Sequence, residues 1–530
     1  MWRKGWRKQV WEQLDQKWDM IIIGGGITGA GIFKLATQLG FKALLIEKHD
    51  FAYGTSSRSS KLVHGGLRYL NNFQFKVCYE SVQERERLIK SNPYLVSPLA
   101  FILPIYQRYN NSTWKFELAL SIYDLFAKRR MHGKYNRQEI ENRFPLLNKI
   151  DLTNVLYYYD AVVDDARLVL CTLRDGIKSG GLAINYVSAE KLIFDKNNKV
   201  IGILIKNQEH KENERTKEIF GSAIINATGP WSDNLRMNFT NSKIIRKLRG
   251  SHLIFAKEKL PIEKAYLFIH PVDGRALFAI PWENITIIGT TDLDHPAEYE
   301  KNKPEPFITQ GEIDYLLTAV NTIFPKLDLS EKDILSTFSG LRPIVCSRSV
   351  DPSKASRMHK ILFENGLYTI AGGKLTTYHR MAMDLLKQII HKNPISIKEK
   401  EQQIASIPNL KLSDNLNISE EVFLRLSGRL GNTLPEMLER SNPEEFTKIG
   451  KSMITWAELR WAVREEGVIH LDDLLLRRTR IGLLCKNGAE KFQKRIQSIV
   501  QEELSWGKNE WKTEWEKYKL LWSQCYYLPD

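Results

Sequence analysis

A chain of 530 residues is too long for one simple hydrophobic core and implies two folded domains or so. Its 43% hydrophobic and 10% aromatic content excludes a disordered protein; five scattered cysteines without CxxC spacing exclude a disulfide framework or zinc site and fit a reducing compartment. A net charge of +15 suits solubility, but also an anionic membrane surface or a phosphorylated substrate; nothing resembles a nucleic-acid module, so no nucleic-acid partner is expected.

Residues 1–18, MWRKGWRKQVWEQLDQKW, repeat Trp2, Trp6, Val10, Leu14 and Trp18 every four positions, roughly along one helix face, with Arg3, Lys4, Arg7 and Lys8 beside them. Two readings are open: an interfacial, non-spanning helix, or a helix packed on the protein's own surface. Charges and tryptophans stand where a secretory signal needs an apolar segment. No uninterrupted apolar run reaches about 18 residues, so a spanning helix is not expected.

The stretch Asp19 to Tyr69 organises the chain. Met20 to Ile23 read as a strand buried on both faces, followed by Gly24, Gly26 and Gly29 at GxGxxG spacing. A helical rhythm (Ile32, Leu35, Ala36, Leu39) stops at Gly40, and a second strand, Ala43 to Ile46, delivers Glu47 about 20 residues on. Gly24 allows the tight turn, Gly26 lets backbone approach a pyrophosphate, and Gly29 lets the helix pack closely. The helix start offers N–H groups to phosphates, and Glu47 can accept from ribose hydroxyls. Directly after comes Thr55 to Tyr69, TSSRSSKLVHGGLRY, rich in hydroxyls and glycine. A nicotinamide enzyme has no need of such a cradle, whereas a flavin enzyme uses one along the pyrophosphate and ribityl chain.

Further on, Phe73 to Lys90 is helical and stops at Asn92-Pro93. Leu99 to Ile105 reads as a strand and Trp114 to Phe126 as a helix, with Arg129 and Arg130 at its C-terminal end, where cations are favoured. A short helix spans Arg137 to Pro145. Asp164 and Asp165 open another helix, where acids suit the N-terminus and need no catalytic role. Two strands flank the Asn197-Asn198 turn, and Gln208 to Glu218 is an exposed charged loop. Ala223 to Asn226 is a strand ending in Ala227-Thr228-Gly229, where it meets the dinucleotide. Ala276 to Trp282 and Ile285 to Thr291 form antiparallel strands of a substrate domain. Leu367 to Ile370 runs into Gly372-Gly373-Lys374-Leu375-Thr376 and a helix through Ile390. This second glycine-rich turn would stabilise negative charge on a reduced ring. A boundary is placed at Asn393 to Ser413. Beyond it Trp456 to Val468, Leu471 to Leu484 and Ala489 onward read as helical, with Trp511, Trp515, Tyr518 and Trp522 on one face as a core stripe.

The motifs GGGITGAG, TSSRSSKLVHGGLRYL, VDDARLVL, NATGPW, GSH, IPW, IGTTD, SGLRP and GGKLTTY fall in order from Gly24 to Tyr378. In them the chain resembles the FAD-dependent glycerol-3-phosphate dehydrogenases of the D-amino-acid-oxidase superfamily. The resemblance implies an α/β (α+β) fold: a Rossmann-like FAD-binding domain, an antiparallel-sheet substrate domain and a C-terminal all-helical domain. The expected partition is a basic Trp-rich segment 1–18 and an oxidoreductase domain 19–395. Its FAD-binding parts are about 19–100, 155–231 and 335–392, its cap parts about 101–154 and 232–334. A helical domain follows at 414–530.

It also implies FAD as cofactor and oxidation of sn-glycerol 3-phosphate to dihydroxyacetone phosphate by hydride transfer from C2 to flavin N5. Electrons would pass to a membrane quinone from a cytoplasmic protein held peripherally on the inner face of the membrane; a homodimer is left open. By analogy Arg68, Tyr69, Arg342, Arg357 and Lys374 bind substrate, with Arg342 and Arg357 on its phosphate. His64 and His252 compete as general base, and Arg342 and Lys374 complete the catalytic set. Cofactor contacts are expected from Gly24, Gly26, Ile27, Thr28 and Gly29; from Glu47 and Lys48; and from Thr55, Ser56, Ser57, Ser60, Lys61, Leu62, His64, Gly65 and Gly66. Ala227, Thr228, Gly229, Gly373, Lys374, Leu375 and Thr376 complete them. No metal is expected. Met358-His359-Lys360 departs from the family pattern after Arg357. The rival within the class is glycerol-3-phosphate oxidase, which makes peroxide; the rival outside it is a non-catalytic flavin-binding membrane-associated protein.

Overall fold

The structure, a computed structural model, describes residues 2–71, 74–109, 113–209, 216–345, 358–392 and 418–529. Arg357 and the expected boundary at Asn393 to Ser413 lie outside these residues, as does most of the loop between Gln208 and Glu218. The first sheet runs, in spatial order, His359–Glu364, Leu367–Gly372, Thr216–Asn226, Trp18–Ile23, Ala43–Ile46 and Leu182–Ile184. From Leu367–Gly372 to Leu182–Ile184 the neighbours are parallel. Helices Ile27–Gln38, Asp165–Lys178 and Tyr378–Lys392 pack together beside it. Burial from helices on the sheet explains why Met20, Ile21 and Ile22 are uniformly apolar and without exposure. Thr216–Asn226 does two jobs: residues 216–220 pair antiparallel with Val200–Asn207, and residues 221–226 join the parallel sheet.

The second sheet faces it across a cleft. Among the described residues it comprises ten strands, mostly antiparallel, with the long pairs Val96–Tyr106 against Leu152–Val163 and Ile245–Ala256 against Ile334–Val345. Helix Gln310–Ile323 covers its outer face with Ile313, Leu316 and Val320.

Helices Glu420–Leu430, Trp456–Glu465, Gln493–Leu504 and Lys508–Cys525 form the C-terminal unit. Its aromatic stripe is core: Trp511, Trp515, Tyr518 and Trp522 are buried, and Trp522 donates its indole N–H to Gly482 O at 2.7 Å. The continuous helix expected over Leu471 to Leu484 is interrupted. Asp473–Arg478 is a π-helical turn, and Arg480 sits at φ +67 before Ile481–Leu484. The interruption lets three arginines enter the oxidoreductase unit: Arg477 and Arg478 both reach Asp50, and Arg480 reaches Asp164 and Asp165, all fully buried. The two acids of the VDDARLVL motif are thus an interdomain anchor; Asp164 also caps its helix by accepting from Arg167 N.

The N-terminal segment takes the second of its two readings. Only Trp6–Glu12 is helical, and Trp18 already belongs to a strand. Trp2 stacks on Phe51 at 5.2 Å, and Trp2, Trp6, Leu14 and Trp18 are all buried against the protein itself. Arg3 pairs with Glu465, and Arg7 donates to Asn185 O and Asn207 Oδ1. These tryptophans are not presented to a membrane. No helix among the described residues is long and apolar enough to span one.

Candidate active site

A cleft of about 1190 Å³ lies between the two sheets. At one end the chain leaves Trp18–Ile23 through Gly24, at φ +115; a Cβ there would stand 2.6 Å from Ala227 O, so only glycine lets the two strand ends meet. Gly29 is needed for the same turn, since its Cβ would fall 1.9 Å from Gly24 O. Ser56 Oγ accepts from Ile27 N at 2.9 Å and leaves 3.1 Å for a Cβ on Gly26. Glu47 accepts from Gly25 N at 2.6 Å and His49 N at 2.9 Å; burial raises its pKa against these two donors.

At the other end three groups converge from separate elements. His252, on Ile245–Ala256, stacks on Phe338 with ring centroids 4.4 Å apart, and its Nε2 lies 2.8 Å from Ser60 Oγ. Gly289 makes room for the ring; a Cβ there would come within 2.3 Å of it. Burial, then the positive Arg342 and Lys61, push the His252 pKa well below its ordinary value, so the imidazole is neutral at neutral pH. Arg342, on Ile334–Val345, lies flat over Gly250, where a Cβ would sit 2.3 Å from its guanidinium. Its Nη1 donates to Thr291 O at 3.0 Å and Asp292 Oδ1 at 2.9 Å, and its Nη2 to Thr290 Oγ1 at 2.8 Å. Lys374 donates to Ser81 Oγ at 2.6 Å, with its ammonium 4.2 Å from the centre of the Tyr69 ring. Gly372 and Gly373, at φ +74 and +80, turn the chain under it.

Glycine-lined strand ends, a hydroxyl-rich loop and a cationic far end suit an elongated dinucleotide with a small anionic partner. Comparison with known proteins says which. Residues 19–378 match the FAD dependent oxidoreductase family, and residues 396–511 match the C-terminal domain of alpha-glycerophosphate oxidase. Aerobic glycerol-3-phosphate dehydrogenase of Staphylococcus epidermidis is 33% identical over 492 residues, 88% of this chain and 87% of that one. This chain belongs to the FAD-dependent glycerol-3-phosphate dehydrogenase family. The Staphylococcus aureus protein of the same name is equally similar, at 33% over 491 residues. A crystal structure of glycerol-3-phosphate dehydrogenase from Bacillus halodurans complexed with FAD superposes with a TM-score of 0.78 at 27% identity, covering 99% of this chain and 98% of that one. L-alpha-glycerophosphate oxidase of Mycoplasma pneumoniae shares the fold, with a TM-score of 0.56 at 14% identity over 73% of this chain and 97% of that one.

FAD is therefore the cofactor, and the cleft of this dehydrogenase-family chain fits it. The turn at the strand end needs glycine at Gly24 and Gly29, where a Cβ would meet backbone, and Gly26 leaves little room beside Ser56. Of the residues expected to touch it, Gly24, Gly26, Ile27, Thr28, Glu47, Lys48, Thr55, Ser56, Ser60, Leu62, His64 and Gly66 line the cleft. So do Ala227, Thr228, Gly229, Gly373, Lys374, Leu375 and Thr376, and with them Tyr69, His252 and Arg342.

Four expected contacts are turned elsewhere. Gly29 supports the turn from behind. Ser57 donates to Tyr53 O and Gly54 O, and Gly65 donates its N–H to Tyr123 OH and Asp160. The Lys61 side chain is fully buried on Asp165 at 2.9 Å, with its pKa lowered by burial to about 8. Arg68 opens the short helix Arg68–Asn71.

The sequence reading missed Thr290, Thr291 and Asp292, which hold Arg342. Their motif, IGTTD, was visible as a family signature, but only the fold shows its partner. It also missed Ser81, Arg58 and Glu305, whose partners lie hundreds of residues away.

Proposed function

We propose that this chain oxidises sn-glycerol 3-phosphate at C2 to dihydroxyacetone phosphate and hands the two electrons to a membrane quinone. The observation that carries it is the pairing of a neutral buried imidazole with a held guanidinium on adjacent strands of one cleft wall, at the end away from the glycine turn. FAD, when bound, supplies the two-electron acceptor for the C2 hydride.

The protein's own groups do the rest. Arg342, fixed in plane by Thr290, Thr291 and Asp292, offers a fork to phosphate oxygens. Lys374 adds a point charge near the same end, held by Ser81 and the Tyr69 ring. Arg68 and Arg357 remain candidates for the same phosphate. His252 takes the C2 hydroxyl proton: neutrality lets its imidazole accept it, and stacking on Phe338 fixes the ring plane. His64 lines the cleft and is the rival base. The cleft between the two sheets would hold the substrate between two protein walls.

The membrane part of the reading rests on the helix Thr113–Ala127. Trp114, Leu118 and Leu125 are 62%, 54% and 73% exposed at i, i+4 and i+11, one face, beside Tyr79 of the adjoining helix Phe75–Ser91. Lys115, Lys128, Arg129 and Arg130 surround them, all exposed. An outward apolar stripe rimmed by cations is what lying on an anionic lipid surface requires, and at 15 residues the helix is too short to span. We infer that the protein docks there, on the inner face of the membrane, where quinone is at hand. Residues 396–511 are similar to the C-terminal domain of alpha-glycerophosphate oxidase, so oxygen is the rival acceptor. Turnover with a short-chain quinone, dihydroxyacetone phosphate as product and little peroxide is the expected result. Stoichiometric peroxide with no quinone reduction would replace the dehydrogenase reading with the oxidase one.

A further inference from the structure

The C-terminal helical unit reaches residues that line the cleft. Beyond helix Lys508–Cys525, the Tyr526 hydroxyl donates to Glu305 Oε2 at 2.5 Å and accepts from Arg58 Nε and Nη2 at 3.2 and 3.0 Å. Arg58 and Glu305 both line the cleft and pair directly with each other. Arg58 belongs to the hydroxyl-rich cofactor loop, and Glu305 to the segment Lys303–Pro306, which forms part of the opposite wall.

The neighbouring backbone is held as well. Thr337 N donates to Tyr526 O at 2.8 Å, on the strand that carries Arg342, and Lys303 Nζ donates to Gln524 O at 3.2 Å. All three side chains, Arg58, Glu305 and Tyr526, are almost without exposure. One phenol therefore joins the cofactor loop, the cap segment and the helical unit.

What hangs on the Arg58 loop is the site itself. Thr55 Oγ1 donates to Leu341 O at 2.5 Å, Ser56 caps Ile27 N, and Ser60 meets His252. A Cβ on Gly340 would stand 2.5 Å from Arg58 O, so loop and Arg342 strand touch directly.

We propose that Tyr526 is a positioning residue: through Arg58 and Glu305 it locks the cofactor loop against the cap, so that the helical unit governs how tightly FAD is held. This rests on the FAD site described above, not on which alcohol is oxidised. Losing the phenol hydroxyl takes one buried hydrogen-bond partner from each of Arg58 and Glu305, which keep their direct pairing. Hydrogen bonds to charged groups are worth enough to change an equilibrium about tenfold or more.

The test uses full-length holoenzyme with Tyr526→Phe and Glu305→Gln. FAD release is followed by flavin fluorescence on dilution and on heating, and global unfolding by far-ultraviolet circular dichroism in the same samples. Trp515→Phe, in the core of the helical unit, is the control for a general loss of stability. The expected result is FAD dissociation about tenfold or more faster in both variants, FAD release preceding global unfolding, and a Tyr526→Phe/Glu305→Gln double variant no worse than the worse single one. Release in step with global unfolding, as in the control, or unchanged dissociation in either folded single variant, would overturn the proposal. A wild-type holoenzyme that holds FAD but does not turn over glycerol 3-phosphate would fault the substrate reading and leave this proposal to the dissociation rates.

Discussion

At the residue scale, His252 and Gly250 are where the proposed chemistry can be probed. If His252 takes the proton, His252→Ala slows flavin reduction by about 100- to 10,000-fold in stopped flow while substrate binding changes little. The same change at His64 leaves reduction much nearer wild type. Equal, small effects in both variants would remove His252 from its role. Gly250→Ala is the sharper probe of Arg342. The added methyl meets the far end of a flexible side chain, so the protein should fold. The guanidinium must leave its seat on Thr290, Thr291 and Asp292, and KM for glycerol 3-phosphate should rise about tenfold or more, with kcat less affected. Steady-state kinetics decides this.

Legibility at this scale divides by cause. Gly24, Gly26 and Gly29 were readable because a turn constrains backbone whatever surrounds it. Arg342 was readable through its motif as a residue that lines the cleft, yet its three partners were not, because hydrogen bonds across strands depend on register. Lys61 sits in a motif that reads as cofactor-binding; its side chain turned inward because Asp165, a hundred residues on, offers it a buried partner.

Among the elements, helix Thr113–Ala127 breaks the usual rule that an apolar face is covered. Its proposed role as a lipid surface predicts that Leu125→Glu and Trp114→Glu, at exposed positions outside the cleft lining, cut sedimentation with anionic vesicles several-fold without changing activity toward a soluble acceptor. Variants that bind vesicles as wild type does would refute it. Trp2 and Trp6, being buried, are not expected to matter for lipid binding except through stability.

A second element-scale expectation concerns His470, which joins Glu209 of the oxidoreductase unit to Glu514 of helix Lys508–Cys525, each at 3.1 Å. Burial opposes its charge, but the hydrogen bonds to Glu209 and Glu514 prevail and raise its pKa to about 11. A raised folded pKa stabilises in full below the unfolded value of about 6.5, and that contribution falls away as pH climbs towards the folded one. Urea midpoints should therefore decline above neutral pH, and His470→Gln should flatten that decline. A variant with the wild-type pH profile would show that the pair contributes nothing.

The four-residue spacing of the N-terminal tryptophans did not reveal that a helix, a turn and a strand share it; spacing alone carries no boundary. Leu471 to Leu484, with its arginines, reads as one continuous helix in sequence. Only the buried acids they meet explain why that helix breaks.

At the level of the whole molecule, two sheets enclose a cleft and a helical unit is pinned to them by buried ion pairs. Removing one partner of such a pair leaves a buried charge and costs about 3–5 kcal/mol. Asp50→Ala, which takes from Arg478 its buried carboxylate and leaves Arg477 with Asp472 and Asp473, should accordingly lower the urea midpoint sharply and release FAD with it; a midpoint within experimental error of wild type would mean that the interdomain contact is not needed for folding. The layered architecture was legible early, because a βαβ unit and alternating apolar strands follow from periodicity. How the helical unit docks was not, since charged residues at its interface read as surface.

The most direct measurement is an anaerobic titration of the yellow holoenzyme with sn-glycerol 3-phosphate. The flavin absorbance should bleach to completion with dihydroxyacetone phosphate formed one for one, and should return when quinone is added. A holoenzyme that keeps its full oxidised spectrum in excess substrate would contradict the central claim, and the cleft's cations would need another anion to explain them.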